Sequence, residues 1–239
     1  SGTRKIFIND TIYSVKKGDL IIIPKGELHR TTYIGGETHE RIVMDFNDAF
    51  LEPLISKIGY DAFNKCFDNR QLSIPPNRRE YVEELFGKIL REHNGVDTYS
   101  TIILSLYVYE LIMFVLRCRE NSDHPCSVAE IGDDIISDAA RYISSNFTHV
   151  FSLTQLAAKY NMSPSYFSRK FKLYTGFGYK EYLITIRILE AGKLLLNTDL
   201  SITEIAEKCG FDDSNYFGDS FKKVKGISPR EYRKANGIV

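Results

Sequence analysis

The chain has 239 residues, 43% of them hydrophobic, which is enough to fill one large core or two ordinary ones. Its formal charge is zero, but residues 133–239 carry 15 Lys and Arg against 12 Asp and Glu, whereas residues 1–132 carry 16 against 19. The longest apolar run, Ile102–Leu116, is too short to span a membrane and the four cysteines lack metal-ligand spacing, so we expect a reduced, cytoplasmic protein with no membrane partner and no cofactor.

Residues 3–46 show the pattern of short β-strands separated by turns. Lys5–Val15 predicts two strands around a turn at Asn9, and Leu20–Ile23 and Glu40–Phe46 continue the pattern. Turn signals rich in Gly and Pro recur between these segments at the spacing of a small barrel or sandwich.

A motif within this region, Gly18-x5-Pro24-x-Gly26-x2-His29, resembles the second conserved motif of cupin barrels. The resemblance implies a partial β-barrel that holds a small effector, with His29 as the candidate effector-binding residue. The first cupin motif, which supplies most of the metal ligands in that family, would lie before Ser1. Because a stable metal site needs three or four ligands, we expect His29 to bind no metal.

The periodicity becomes helical between residues 48 and 120. It predicts short helices at 49–58 and 60–67, then a helix at Arg78–His93 and a long helix at Thr98–Arg119. The long helix is apolar on both sides and must therefore be covered on both. Either the barrel strands and the preceding helix cover it entirely, or one side forms a twofold homodimer contact through residues 98–118, which is the reading we favour.

Residues 121–132 are polar, contain a proline and predict an interdomain linker. The expected fold class is therefore α+β. A partial cupin-like barrel with helices, residues 1–120, forms the effector-binding and dimerisation domain, and an all-α domain with two helix-turn-helix motifs occupies residues 133–239.

The C-terminal part contains a tandem repeat. The segment Ser201–Lys234 matches the sequence 49 or 50 positions earlier, so that Ile205-Ala206 falls on Leu156-Ala157 and Tyr216-Phe217 on Tyr166-Phe167. Each copy predicts a short helix, a tight turn and a second helix. The predicted turn residues are Asn161 and Gly210, and the predicted N-caps of the second helices are Ser163 and either Asp212 or Asp213.

The second helix of each copy presents polar and basic residues on its outward face, a mixture that suits base edges and phosphates. Between the copies, Tyr179–Asn197 predicts a helix of about 28 Å, close to the spacing of about 34 Å between successive major-groove faces. The outward residues are Ser165, Ser168, Arg169, Lys170 and Lys172 in the first copy and Ser214, Asn215, Lys222, Lys223 and Lys225 in the second.

The region from Ile135 to Lys234 resembles the AraC/XylS family of bacterial transcription regulators. The residues that carry the resemblance include Ser163-Pro164-x-Tyr166-Phe167-x-Arg169-x-Phe171-Lys172, Arg187-x3-Ala191, Gly210-Phe211-x-Asp213-x2-Tyr216-Phe217 and Gly226-x-Ser228-Pro229. The resemblance implies base reading by Ser165, Ser168 and Arg169 and by Ser214, Asn215, Gly218 and Asp219. Ser163 and Tyr166, at the start of the first of these helices, are also expected to contact DNA.

One position departs from the family pattern. Where the second recognition helix commonly carries a basic or polar pair, this chain has Gly218-Asp219, and phosphate repels an aspartate. We therefore expect Arg169 to contribute more base discrimination than the second helix, which would act mainly through Lys222 and Lys223 on phosphates.

These observations predict a DNA-binding transcription regulator and not an enzyme. Its expected partners are double-stranded DNA, a small effector that shifts the protein toward the arrangement matching its DNA half-sites, and RNA polymerase if it activates. Two alternatives from other classes remain open at this point. One is a metal-dependent cupin enzyme, for which no nucleophile with a base partner is found, and the other is a helical protein-interaction adaptor.

Overall fold

The computed structural model describes residues 4–32, 41–95, 97–120, 134–149 and 151–236. The predicted linker, 121–132, lies outside these residues. The chain divides into two compact units. The first unit comprises Ser1–Arg4, Val15–Lys25 and Ile34–Glu130, and the second comprises Lys5–Ser14, Gly26–Tyr33 and Ile131–Val239.

The described residues contain five strands and eleven α-helices. The strands are β1 (Arg4–Ile8), β2 (Thr11–Val15), β3 (Asp19–Ile21), β4 (His29–Thr32) and β5 (Gln71–Ser73). The helices are α1 (Asp48–Ile58), α2 (Tyr60–Asn64), α3 (Arg79–His93), α4 (Ser100–Glu120), α5 (Asp134–Ser145), α6 (Leu153–Lys159), α7 (Pro164–Thr175), α8 (Tyr179–Asn197), α9 (Ile202–Lys208), α10 (Ser214–Lys225) and α11 (Pro229–Asn236).

The first unit is mainly helical, with one small open sheet. β3 pairs antiparallel with β5, Asp19 opposite Ser73 and Ile21 opposite Gln71. The sequence pattern did not indicate β5. The strand predicted at Glu40–Phe46 was wrong over its described part, because residues 41–47 have no regular structure and are mostly exposed.

Helix α4 buries one side and exposes the other. Val108 and Leu111 pack in a core with Val82 and Leu85 of α3, whereas Ile102 and Leu106 are 60–62% exposed. At 21 residues, α4 is also long and apolar enough to cross a membrane by length and composition. That is weak support for a membrane span, because core helices of soluble proteins meet the same criteria.

The second unit contains an open three-stranded sheet in the order β2-β1-β4. The predicted turn between β1 and β2 is confirmed, with Asn9 at φ 55°. β1 and β4 are antiparallel, Lys5 opposite Thr32 and Ile8 opposite His29. Phe7, Ile12 and Leu28 share a buried core with α5, α7 and α8, so this sheet and the first helix-turn-helix form one body.

Helix α8 joins two hydrophobic cores. Tyr182 and Leu183, near its start, are buried with residues of α5, α6 and α7. Ile188, Ala191 and Leu195 are buried with residues of α9 and α10. The helix predicted between the two repeat copies is therefore a shared structural element with the predicted bounds.

Candidate DNA-binding surface

The two recognition helices begin at side-chain caps. Ser163 Oγ accepts from the backbone N–H of Tyr166 at 3.3 Å, and Pro164 occupies the first helical position. At the start of α10, Asp213 Oδ1 accepts from the N–H groups of Asn215 and Tyr216 at 2.6 and 3.1 Å. Asp213, and not Asp212, is therefore the cap.

The turns that precede these helices use the left-handed backbone region. Asn161 has φ 53° and Gly210 has φ 81°. A Cβ on Gly210 would lie 2.7 Å from the carbonyl oxygen of Thr148, so only glycine fits there. Both turn residues predicted from the sequence are confirmed.

The first helix of each copy is held by a capping box and a small-residue crossing. Ser152 pairs with Gln155 at the start of α6, and Ser201 pairs with Glu204 at the start of α9. Alanines at the repeat-equivalent positions 157 and 206 are buried to 0% and 1% exposure. Their small side chains allow α6 and α9 to approach the recognition helices closely.

Buried phenylalanines fix which face of each recognition helix is exposed. Phe167 and Phe171 of α7, and Phe217 and Phe221 of α10, are 0% exposed. The predicted DNA-facing residues consequently lie on accessible faces. Ser163, Ser165, Tyr166, Arg169, Lys172, Ser214, Asn215, Asp219, Lys222 and Lys223 are exposed, and Ser168, Lys170 and Gly218 are half-buried.

Lys225 differs from the other predicted outward residues. Its ammonium nitrogen lies 5.6 Å from the centre of the Tyr232 ring, its side chain is partly buried, and that burial lowers the pKa of Lys225. The periodicity placed it on the outward face, but the packing of α11 against the end of α10 turns it inward. Lys222 and Lys223 are left as the exposed cations of that helix turn.

An arginine that the sequence pattern did not single out as functional links the second repeat copy to the segment that follows α5. Arg187 on α8 is 7% exposed, and burial lowers its pKa. Its guanidinium donates to the carbonyl oxygens of Phe147 and Gly210 at 2.7 and 2.5 Å, and to those of Thr148 and His149 at 3.4 and 3.3 Å. It thereby ties the turn before α10 to the segment that follows α5.

His29, the candidate effector residue, is exposed on β4. Its Nδ1 lies 3.0 Å from the carbonyl oxygen of Glu27. In the part of the chain that the structure describes, no three His, Cys, Asp or Glu side chains are grouped so that they could hold a metal ion.

Comparison with known proteins gives matches to both parts of the chain. Residues 1–112 match the family model of the AraC-like ligand binding domain, and residues 156–235 match a helix-turn-helix domain. The HTH-type transcriptional activator RhaR of Salmonella dublin is 26% identical over 234 residues, covering 95% of this chain and 79% of that protein. The arabinose operon regulatory protein of Salmonella typhimurium is 26% identical over 227 residues, covering 94% and 78%.

Among solved structures, the C-terminal domain of AraT, a response regulator from Geobacillus stearothermophilus, is 39% identical. The match covers 45% of this chain and 89% of that domain, with a TM-score of 0.43. The family assignment rests on the two family models and on the curated regulators. Nothing in these comparisons points to catalytic activity.

Proposed function

The chain belongs to the AraC/XylS family of transcription regulators, as a DNA-binding activator with an N-terminal ligand-binding domain, and from that premise we propose how it reads its operator. Helices α7 and α10 enter successive major grooves on one side of the duplex. The base pairs under α7 form the first half-site and those under α10 the second.

The observation that carries this proposal is the pair of equivalent, exposed helix faces joined by one continuous helix. Arg169 and Lys222, which a non-binding arrangement would bury, are both exposed. α8 contains 19 residues, about 28 Å at about 1.5 Å per residue, against about 34 Å between successive groove faces. Such a spacer favours simultaneous insertion at a single half-site distance.

In this proposal, α7 contributes more to base recognition and α10 more to phosphate binding. Arg169 is the side chain on α7 suited to donate two hydrogen bonds to a guanine edge. Asp219 on the exposed face of α10 is repelled by phosphate, so α10 binds chiefly through Lys222 and Lys223. Ser163, Ser165, Tyr166, Ser168, Lys170 and Lys172 on α7, with Ser214, Asn215 and Gly218 on α10, complete the proposed interface.

Changing the spacing of the half-sites tests the proposal. The full chain would be used to select its operator from random DNA, and affinity would then be measured with about 5 and about 10 base pairs inserted between the half-sites. About 10 base pairs restore the rotational phase of the duplex. Because α8 fixes the distance as well, both insertions should reduce affinity to that of one half-site, and full binding to either insertion would contradict the proposal.

We also propose a homodimer through residues 98–118. Ile102 and Leu106 of α4, with Tyr99 just before it, form an exposed apolar stripe at one-turn spacing, and a self-complementary twofold contact would cover it. Ile102→Lys should shift sedimentation toward monomer. Leu90→Lys, at an exposed aliphatic position outside residues 98–118, is the matched control and should leave the dimer intact. A monomeric wild-type chain at micromolar concentration would contradict the dimer.

The remaining assignments follow from the family. We propose that a small effector controls the protein in the cytoplasm, that His29 contributes to effector binding, and that the activator contacts RNA polymerase. Effector-dependent DNA binding that survives His29→Ala without change in the effector midpoint would remove His29 from that role.

A further inference from the structure

The end of the first recognition helix carries a contact with the N-terminal sheet. Arg30 on β4 donates from Nη1 to the carbonyl oxygen of Gly176 and from Nη2 to Glu181 Oε1, both at 2.7 Å. Its guanidinium carbon also lies 3.6 Å from the centre of the Phe177 ring. Three groups at one helix corner therefore meet a single side chain.

These groups terminate α7 and start α8. Gly176 ends α7 in the left-handed region, with φ 78°, and its N–H donates to the carbonyl oxygen of Lys172 at 2.9 Å. Glu181 Oε2 accepts from the N–H of Gly178 at 3.3 Å and so caps the start of α8. A cation beside the C-terminus of α7 is also favoured by the helix dipole. Arg30 thus joins the last turn of the recognition helix to the first turn of the spacer.

The strand that carries Arg30 is itself firmly held. Phe7 of the adjacent strand is 0% exposed, and its ring centre lies 6.3 Å from that of Phe177 and 5.8 Å from that of Tyr182. The Tyr182 hydroxyl donates to the carbonyl oxygen of Asn9 at 2.7 Å. The sheet is anchored in the core of the second unit, and this packing fixes the position of the strand that carries Arg30.

The equivalent corner of the second copy lacks this contact. Gly226 ends α10 with φ 82°, as Gly176 ends α7. A Cβ on Gly176 would lie 2.5 Å from Arg30 Cδ, whereas a Cβ on Gly226 would meet no described atom within 4 Å. The repeat copies match in sequence, but among the residues that the structure describes, the sheet contacts only the first corner.

We infer that Arg30 is a positioning residue for the first recognition helix, which sets the angle of α7 against α8 and thereby base reading at the first half-site alone. The inference rests on the proposed function, because it requires α7 to read bases. β4 lies within residues 1–112, which match the ligand-binding family model. A shift of this strand would therefore change recognition of one half-site and leave the other unchanged.

Base-pair discrimination in the full chain tests the inference. For each half-site, the ratio of Kd for a single-base-pair variant to Kd for the selected operator would be measured with wild type, Arg30→Ala and Arg30→Lys. A loss of folded protein scales both constants equally and leaves the ratio unchanged. Arg30→Ala should lower the ratio at the first half-site about fivefold, the lower end of what loss of one base contact costs, with no change at the second.

The variants Arg30→Lys, Lys25→Ala and Glu181→Gln control for charge and for folding. Arg30→Lys should not restore discrimination, because one ammonium cannot contact the carbonyl, the carboxylate and the ring together. Lys25→Ala removes the same charge and a more exposed ion pair, with Asp48, and should leave both ratios unchanged. If Arg30→Ala gives too little protein, Glu181→Gln removes the ionic partner while keeping a capping acceptor and should lower the same ratio.

The outcomes separate this inference from the proposed function. Equal ratios in wild type and Arg30→Ala, or equal losses at both half-sites, would overturn the positioning role. If Arg169→Ala still lowers the first half-site ratio in that case, base reading by α7 stands. If Arg169→Ala changes no ratio, the proposed function itself fails.

Discussion

Replacing Arg187 by Ala is expected to destabilise the second unit by about 3 kcal/mol, because it leaves the part-buried carbonyls of Phe147 and Gly210 without this donor. Two of its hydrogen bonds are short, 2.7 Å to Phe147 and 2.5 Å to Gly210. The other two, to Thr148 and His149, are 3.4 and 3.3 Å, long enough to contribute little. The perturbation therefore acts on the link between the second repeat copy and the segment that follows α5.

The magnitude follows from opposing contributions. A hydrogen bond to a charged group stabilises by about 1.5–3 kcal/mol, so the two short ones contribute about 3–6 kcal/mol. Removing the guanidinium also removes the cost of holding a charge out of water, which offsets part of this loss. A net loss of about 3 kcal/mol lowers the melting temperature of a domain this size by about 10 °C.

Urea and thermal unfolding followed by far-ultraviolet circular dichroism measure this effect, since the chain has no Trp to report on packing. Arg187→Lys should recover part of the loss, because an ammonium can reach some but not all of the carbonyls. Arg230→Ala, on the exposed surface of α11, should change the free energy of unfolding by less than about 0.5 kcal/mol.

A small effect would refute the reasoning. If Arg187→Ala lost less than about 1 kcal/mol at an unchanged denaturant slope, water would be replacing the guanidinium at these carbonyls. Arg187 would then not stabilise the link between the second copy and the segment that follows α5.

Three further predictions concern charged groups on or beside the recognition helices. Arg169→Ala should relax discrimination by about 1–3 kcal/mol at one base pair, whereas Lys223→Ala should weaken binding to all sequences and reduce the salt slope by about one. Gel shifts on cognate and scrambled DNA at several salt concentrations distinguish base reading from phosphate binding. Equal losses of affinity for cognate and scrambled DNA in Arg169→Ala would contradict base reading. Asp219→Asn should raise affinity for any DNA sequence, most at low salt where repulsion is least screened, and unchanged affinity would place Asp219 away from the phosphates. The hydrogen bond from Arg30 holds the pKa of Glu181 below its ordinary 4.5. The ionised form is thus favoured by folding, and its stabilisation is present above pH 4.5 and lost as pH falls through the lower folded-state pKa. Wild type and Glu181→Gln should therefore converge in urea stability on acidification. A difference that persists in acid would show that the stabilisation does not come from ionised Glu181.

The sequence alone determined the helix-turn-helix repeat, because its signals are local. Caps such as Ser163, turn residues such as Asn161 and Gly210, and buried pairs such as Phe217 and Phe221 each act within a few residues of the chain. These interactions form between residues close in sequence, so the start of α7 and both ends of α8 were predicted as the structure has them. The accessibility of Arg169 followed from the same periodicity.

Only the tertiary structure decided which distant residues meet. β5 pairs with β3 across more than 50 residues, and Arg30 reaches Glu181 across 151. Neither partner is marked by local propensity, because strand pairing and guanidinium contacts depend on where the folded chain brings a carbonyl or a carboxylate. The grouping of the first strands with the helix-turn-helix core has the same cause. Phe7 is an ordinary strand residue in sequence, and only the packed rings of Phe177 and Tyr182 make it part of that core.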